Sequence, residues 1–321
     1  MVEMRWAQPG EKNEILDLCD FVFSKYHRPH DFESLMPKLY AGKNNASHHH
    51  FVIREDGRIV ATLLAYPIEM NIGSNSFTVI GVGNVCIHPR AQGRGYMKHL
   101  LAAVDSRAGE HEAVFAFLGG QRQRYGYFGF QPAGYHMDCS VSRANVRHAL
   151  SGCDDSAVQI VPMEQSHIPA AIALHTAQTM YCTRSEDNFL NIVRTWYLNP
   201  YAILINGEMT GFAIMKAGGD TATVDELRLK SERTLPSVIK KLSGVFGNLK
   251  FNVAPCDTER AGYLTTLAEN WQITRDHMFK FYHEERLRDM MRDAGLPSSV
   301  PLYFDGFTLP LPLFMSSPDS V

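Results

Sequence analysis

The sequence predicts an α/β (α+β) chain of two similar domains in tandem, each a mixed, mostly antiparallel twisted sheet flanked by helices. Three observations carry this. One order of elements (strand, helices, meander, helix, strand) occurs twice along the chain. A β-branched run in the first half ends at a proline and passes through a short glycine-bearing loop into an amphipathic helix. Finally, 321 residues with 45% hydrophobic content suffice to bury more than one core.

The first half opens with a short strand around Met4 to Ala7, a helix over Glu14 to Phe23 and a strand from His50 to Arg54. Asp56-Gly57 predicts a hairpin turn into a strand from Ile59 to Tyr66. A turn near Gly73-Ser74-Asn75 leads into a long strand that ends at Pro89, which has no N–H to continue a ladder. After Gly95, apolar residues at Met97, Leu100, Leu101 and Val104 form one stripe of a helix. A strand from Ala113 to Leu118 follows.

The second half repeats the order. Val158 to Val161 reads as a strand, Ser166 to Gln178 and Asp187 to Tyr197 as helices, and Ala202 to Ile205 as a strand. Asn206-Gly207 turns the chain about 150 residues after the first hairpin turn. Strands at Met209 to Lys216 and Thr221 to Leu229, a helix at Leu235 to Phe246 and a strand at Leu249 to Ala254 complete the copy. Its loop, Arg228 to Leu235, contains no glycine, and Pro236 at the helix start removes a donor, so this copy is degenerate. The expected division is 1–145, 156–290 and an apolar, proline-rich tail over 291–321 that packs on the body.

The net charge of −3, with Lys and Arg dispersed, argues against nucleic-acid binding. No apolar run suits a bilayer span or a signal peptide, so no membrane partner is expected and the location is expected to be cytoplasmic. Six cysteines without C-x-x-C spacing are expected as reduced thiols. His48-His49-His50 lacks companion ligands, and it is read as a solvated strand entrance with no metal.

The loop Arg90-Ala91-Gln92-Gly93-Arg94-Gly95 carries the chemistry. The helix after it presents unpaired N–H groups at its positive end, Gly93 and Gly95 keep Cβ atoms away, and Arg90 and Arg94 add charge; the combination suits a phosphate. A P-loop would need G-x-x-x-x-G-K-[ST], and a dinucleotide fingerprint a third glycine where Lys98 stands. The segment resembles instead the [R/Q]-x-x-G-x-[G/A] pyrophosphate loop of the GNAT superfamily of acyl-CoA-dependent N-acyltransferases. Tyr125-Gly126-Tyr127-Phe128-Gly129-Phe130-Gln131-Pro132-Ala133 is similar to the Y-G-x-F-G-[FY]-x-P-A segment of the enhanced-intracellular-survival type, whose members carry tandem GNAT domains. The resemblance covers roughly 1–290, and members of that group usually continue into a sterol-carrier-like module for which too few residues remain here.

The resemblance implies acetyl-CoA as co-substrate, bound by Val85, Cys86 and Ile87 of the central strand and by Arg90, Gln92, Gly93, Arg94, Gly95, Tyr96 and Met97, with Asn84 and Cys86 flanking the acyl group. It implies a small-molecule amine as partner; a homo-oligomer is left open. Thioester aminolysis needs an acid for the departing thiolate, and a phenol with a pKa of about 10 can protonate a thiolate whose conjugate acid is near 8.5. Tyr125 matches the group's tyrosine, with Tyr127 as the alternative. The base is open among Glu69, His88, Asp225, Glu226 and, by resemblance to a group whose terminal carboxylate enters the active site, Val321. The tail is too apolar, at Leu302, Tyr303, Phe304, Phe307, Leu309, Leu311, Leu313, Phe314 and Met315, to be solvated. Glu284 to Met291 reads as an amphipathic helix. The expected function is an acetyl-CoA-dependent N-acetyltransferase; the alternative is a non-catalytic acyl-CoA sensor.

Overall fold

Two Asx-Gly turns register the two meanders. Asp56 and Gly57 have φ of 48° and 82°, Asn206 and Gly207 52° and 82°, the paired positive values of a type I′ turn whose twist matches the flanking strands. The computed structural model describes residues 1–25, 29–254, 256–296, 300–304, 307–309 and 313–321, with the backbone alone at 276, 300–304 and 307–309. These fall into two compact units: Met1–Ala133 with His277–Ser298 and Asp319–Val321, and Gly134–Asp276 with Ser299–Pro318.

The first unit contains β1 (Val2–Trp6), α1 (Lys12–Phe23), the single turns α2 (Phe32–Leu35) and α3 (Pro37–Tyr40), β2 (His50–Glu55), β3 (Arg58–Ile72), β4 (Asn75–Ile87), α4 (Tyr96–Glu110), β5 (Phe115–Leu118) and α5 (Arg122–Tyr125). β1 to β4 are successive antiparallel neighbours, and β5 joins β4 in parallel through the crossover α4. One face of the sheet, through Leu63, Ile80 and Val82, packs on Leu100, Leu101 and Val104 of α4.

β6 (Gln131–Val141) leads into the second unit, followed by α6 (Arg143–Ala149), β7 (Val158–Pro162), α7 (Ile168–Thr176), β8 (Met180–Cys182), α8 (Phe189–Arg194), β9 (Asn199–Ile205), β10 (Glu208–Gly218), β11 (Thr221–Leu229), α9 (Leu235–Phe246), β12 (Asn248–Val253) and α10 (Thr258–Leu267). Its path is β7-β9-β10-β11-β12, antiparallel except for the parallel step β11-β12 across α9. That is the path β1-β2-β3-β4-β5 over again. Buried Val238, Ile239 and Leu242 of α9 pack with Val224 and Phe251.

The sixth strands are exchanged. β12 pairs antiparallel with β6, from Leu249↔Val141 to Val253↔Met137, whereas β5 pairs antiparallel with β13 (Asn270–Phe281), from Met278↔Leu118 to Phe281↔Phe115. A strand from the first half therefore completes the second unit, and one from the second half completes the first. α11 (Glu284–Asp293) returns to the first unit with Leu287, Met290 and Met291 buried, the stripe read from the sequence. The units thus draw 134–145 into the second and 277–298 into the first, a division that differs from the one at 145 and 156 because strand pairing, not chain order, groups the segments.

The tail forms strands β14 (Val300–Phe304) and β15 (Phe307–Leu309) and then packs through buried Leu313 and Met315. Leu311 lies outside the described residues, and so do the side chains of Leu302, Tyr303, Phe304, Phe307 and Leu309. Among the described residues no helix is long and apolar enough to cross a membrane. All six cysteines are free.

Candidate active site

β4 carries one residue more than its partner. Opposite β3, Thr62 faces Cys86 and Leu64 faces Gly83, so Leu63 stands against Asn84 and Val85 together. Asn84 takes φ of 51°, a left-handed conformation that Asn tolerates better than most residues. The extra residue exchanges the faces of the strand. Ile80 and Val82 point into the α4 core before the bulge, and Val85 and Ile87 do so after it. On the other side β4 meets β5 only at Ile80↔Ala116 and Gly81↔Phe117. Beyond Gly81 the strands part, which leaves main-chain groups around Gly83 to Ile87 outside the β4-β5 ladder, a place where an extended ligand can hydrogen-bond.

The loop after β4 is shaped for an anion. Gly93 and Gly95 have φ of 78° and 77°, and a Cβ built on either meets nothing within 4 Å. The space in front of both is open, while their conformation excludes ordinary side chains. Gly95 caps α4 without any side-chain bond to its first turn, so the N–H groups there stay available to an anion at the positive end of a 15-residue helix. These residues fit a pyrophosphate.

The Arg94 side chain has a partner within the protein. Its guanidinium is forked onto Glu55 at 2.6 and 2.5 Å, and Glu55 also accepts from the Tyr96 hydroxyl. These bonds hold the Glu55 carboxyl below its ordinary range, the Tyr96 bond first and the Arg94 bonds second. The charge of Arg94 is thus balanced locally, and its side chain braces the loop against the end of β2. The open Gly95 position supports a prediction: Gly95→Ala, at φ of 77°, leaves the fold intact apart from about 1 kcal/mol of backbone strain. Affinity for CoA, read by calorimetry, is expected to fall at least about tenfold, since the added Cβ enters the ligand's space.

Tyr125 ends α5 and is buried with Phe130, the two rings 6.3 Å apart and edge-on. Gly120 makes room for it: a Cβ there would lie 2.7 Å from ring atom Cδ2. Burial raises the phenol's pKa above its ordinary value, so it remains protonated throughout the neutral range. Tyr127, two residues on, is 91% exposed. The two tyrosines left open by the sequence therefore differ sharply in placement, and only Tyr125 shares the core of Ile80, Val82 and Tyr96.

Val321 returns to the bulged strand. A Cβ on Gly81 would lie 2.5 Å from Val321 Cγ2, and one on Gly83 2.8 Å from the Val321 carboxyl carbon. Gly81 and Gly83, two apart on one face, thus form the floor on which the residue rests. Lys38 of α3, itself buried, donates to the Ser320 carbonyl at 2.6 Å and fixes the approach.

The other base candidates are occupied elsewhere. Glu69 is exposed and accepts from the Ser76 hydroxyl at 2.8 Å. His88 stacks on Phe21 at 5.2 Å, and its Nδ1 accepts from the Arg90 N–H. Glu226 is fully buried in the second unit, 2.7 Å from Arg184 and 3.2 Å from Arg228. Burial alone would raise its pKa, but Arg184 and then Arg228 outweigh it and hold the carboxyl well below its usual range. Asp225 is the extra residue of a bulge in β11, between pairs Ile214↔Glu226 and Met215↔Val224, so the second copy keeps the bulge while lacking the glycine loop. It accepts from Ser317 Oγ at 2.9 Å and Asn252 Nδ2 at 3.1 Å. His50 corrects the sequence reading: it is fully buried, not a solvated strand entrance, because its ring is the middle of a hydrogen-bonded chain.

Residues 3–133 match the family model described as "Acetyltransferase (GNAT) domain", so the first part of the chain carries a domain of that description. No curated relative matches the sequence. Solved structures similar to the chain include a probable N-acyltransferase from Enterococcus faecalis (TM-score 0.68, 13% identity, 88% of this chain and 73% of that one). A GCN5-related N-acetyltransferase from Kribbella flavida gives 0.66 and 14%, with 88% and 71% covered. Eis1 from Mycobacterium abscessus gives 0.63 and 12%, with 90% and 76% covered. At these identities the likeness is one of fold, and it extends over both units.

Proposed function

We propose that the chain transfers an acetyl group from acetyl-CoA to the primary amine of a small molecule by direct attack on the thioester. The observation that carries this reading is the parting of β4 from β5 at the Asn84 bulge, followed at once by an uncapped helix behind Gly93 and Gly95. Acetyl-CoA supplies an activated carbonyl. The loop N–H groups from Gln92 to Met97 hold its pyrophosphate, with Arg90 beside them, and the main chain of Val85, Cys86 and Ile87 lines up the thioester and the oxygen that becomes negative. The amine nitrogen bonds to the carbonyl carbon, the C–S bond breaks, and the Tyr125 hydroxyl gives its proton to the departing thiolate. The Val321 carboxylate, seated on Gly83, takes the proton that the amine loses.

Thiol release on a panel of amines, with acetyl-CoA as donor, tests the reaction; binding of CoA without turnover of any amine is the result expected of a sensor instead. The base is tested by one added Gly after Val321, which displaces the carboxylate and leaves the loop untouched. The extended chain is expected to lose at least about tenfold in kcat with KM for acetyl-CoA within about threefold. An unchanged kcat contradicts the role given to Val321.

A further inference from the structure

A continuous chain of side chains, buried at Thr62, His50 and Tyr40 and half-buried at Asn84, reaches the bulge. Asn84 Nδ2 donates to the Tyr40 hydroxyl at 2.9 Å, the Tyr40 hydroxyl lies 2.7 Å from His50 Nε2, and His50 Nδ1 lies 2.9 Å from Thr62 Oγ1. Tyr40, His50 and Thr62 are at most 1% exposed. The proton positions follow from the order of donors. Since the Asn84 amide donates to Tyr40, the Tyr40 hydrogen is directed to His50 Nε2, which fixes the His50 proton on Nδ1, where Thr62 accepts it. Burial pushes the His50 imidazole down to about 3 and the Tyr40 phenol well above its ordinary value, so both rings are neutral at any working pH and the polarity of the chain is constant.

The four residues come from α3, β2, β3 and β4, and they converge on the residue whose left-handed φ makes the bulge. Packing alone does not call for this. A half-buried Asn at a bulge can be satisfied by water, and an apolar core needs no His. The same turn, α3, also supplies Lys38, which holds the Ser320 carbonyl, so one short element is tied both to the bulge and to the chain end lying on Gly83.

We infer that Tyr40, oriented by His50 and Thr62, is a positioning residue for acyl transfer: it fixes the Asn84 amide and thereby the bulge that presents the β4 main chain to the thioester. The inference rests on the proposed reaction. Tyr40→Phe removes the hydroxyl and leaves the Asn84 donor and the His50 acceptor without it, while the loop from Arg90 to Met97 is untouched. A displacement of the thioester by a fraction of an ångström to one ångström is worth about 10- to 100-fold in rate.

The experiment is a cycle of Tyr40→Phe, Asn84→Ala and the double variant, in the full chain, at a temperature well below every thermal midpoint, with kcat and KM for acetyl-CoA and CoA affinity read separately. Each single variant is expected to lower kcat about 10- to 100-fold with CoA affinity within about threefold. The double variant is expected to be no slower than the slower single one, because both break one chain. Turnover by the wild-type protein with kcat unchanged in Tyr40→Phe, or losses that multiply in the double variant, overturns the inference alone. Absence of turnover by the wild-type protein overturns the proposed reaction and this inference with it.

Discussion

Replacing Tyr125 with Phe is expected to lower kcat about 100-fold or more while CoA still binds. The general-acid step is ordinarily worth 10²- to 10⁴-fold, and Phe keeps the ring that Gly120 and Phe130 enclose, so the cost to stability is expected to stay near 1 kcal/mol. The burial that raises the phenol's pKa keeps the acid form present as pH rises, so the wild-type kcat is expected to show no fall through pH 9 from loss of this proton. Tyr127→Phe, at an exposed position, is expected to match the wild type. Steady-state kinetics with thiol detection, alongside CoA titration, separates these outcomes. Equal loss in the two variants contradicts the placement of Tyr125, and loss of CoA binding in Tyr125→Phe assigns the residue to the cofactor instead.

A fragment ending at residue 145 is expected not to fold, although it holds the whole loop from Arg90 to Gly95. It lacks β13, which pairs with β5 over four residues, and it lacks α11. Met278, Phe279, Leu287, Met290 and Met291, all buried in the first unit, are missing with them. At about 1.5–3 kcal/mol for each buried side chain the deficit is on the order of 10 kcal/mol, comparable with the entire net stability of a domain. The edge of β5 is also left unpaired, which favours aggregation. Circular dichroism and a thermal melt of the fragment check this; a cooperative melt near that of the full chain contradicts the strand exchange. The family match at 3–133 therefore marks a stretch of sequence that does not contain all the strands of its own unit.

What the sequence made legible were the features fixed by local chemistry. Gly93 and Gly95 are required by positive φ, the I′ turns by Asx-Gly pairs, and α4, α9 and α11 by stripes of period 3.6. Features set by register were hidden. The bulge at Asn84 depends on one residue more in β4 than in β3, and the only local sign was a polar residue inside an apolar run. β6 and β13 escaped because neither alternates cleanly: β13 exposes Trp271 and Ile273 yet buries the adjacent pair Met278 and Phe279. His50 looked like the end of a polar histidine run, since its partners Tyr40 and Asn84 are brought to it only by the sheet. The bond from Arg94 to Glu55 spans 39 residues, so the local sequence carried no sign of it.

Acyl-CoA is proposed to bind the first unit through the Gly93-Gly95 loop. The thermal midpoint of the full chain, measured with acetyl-CoA, CoA and ATP in turn, tests it most directly, because a ligand bound only by the folded state must raise the midpoint by mass action. A rise with acetyl-CoA and with CoA but not with ATP is the result expected here, and its loss in Gly95→Ala ties it to the loop. No rise with either CoA species, or an equal rise with ATP, contradicts the claim.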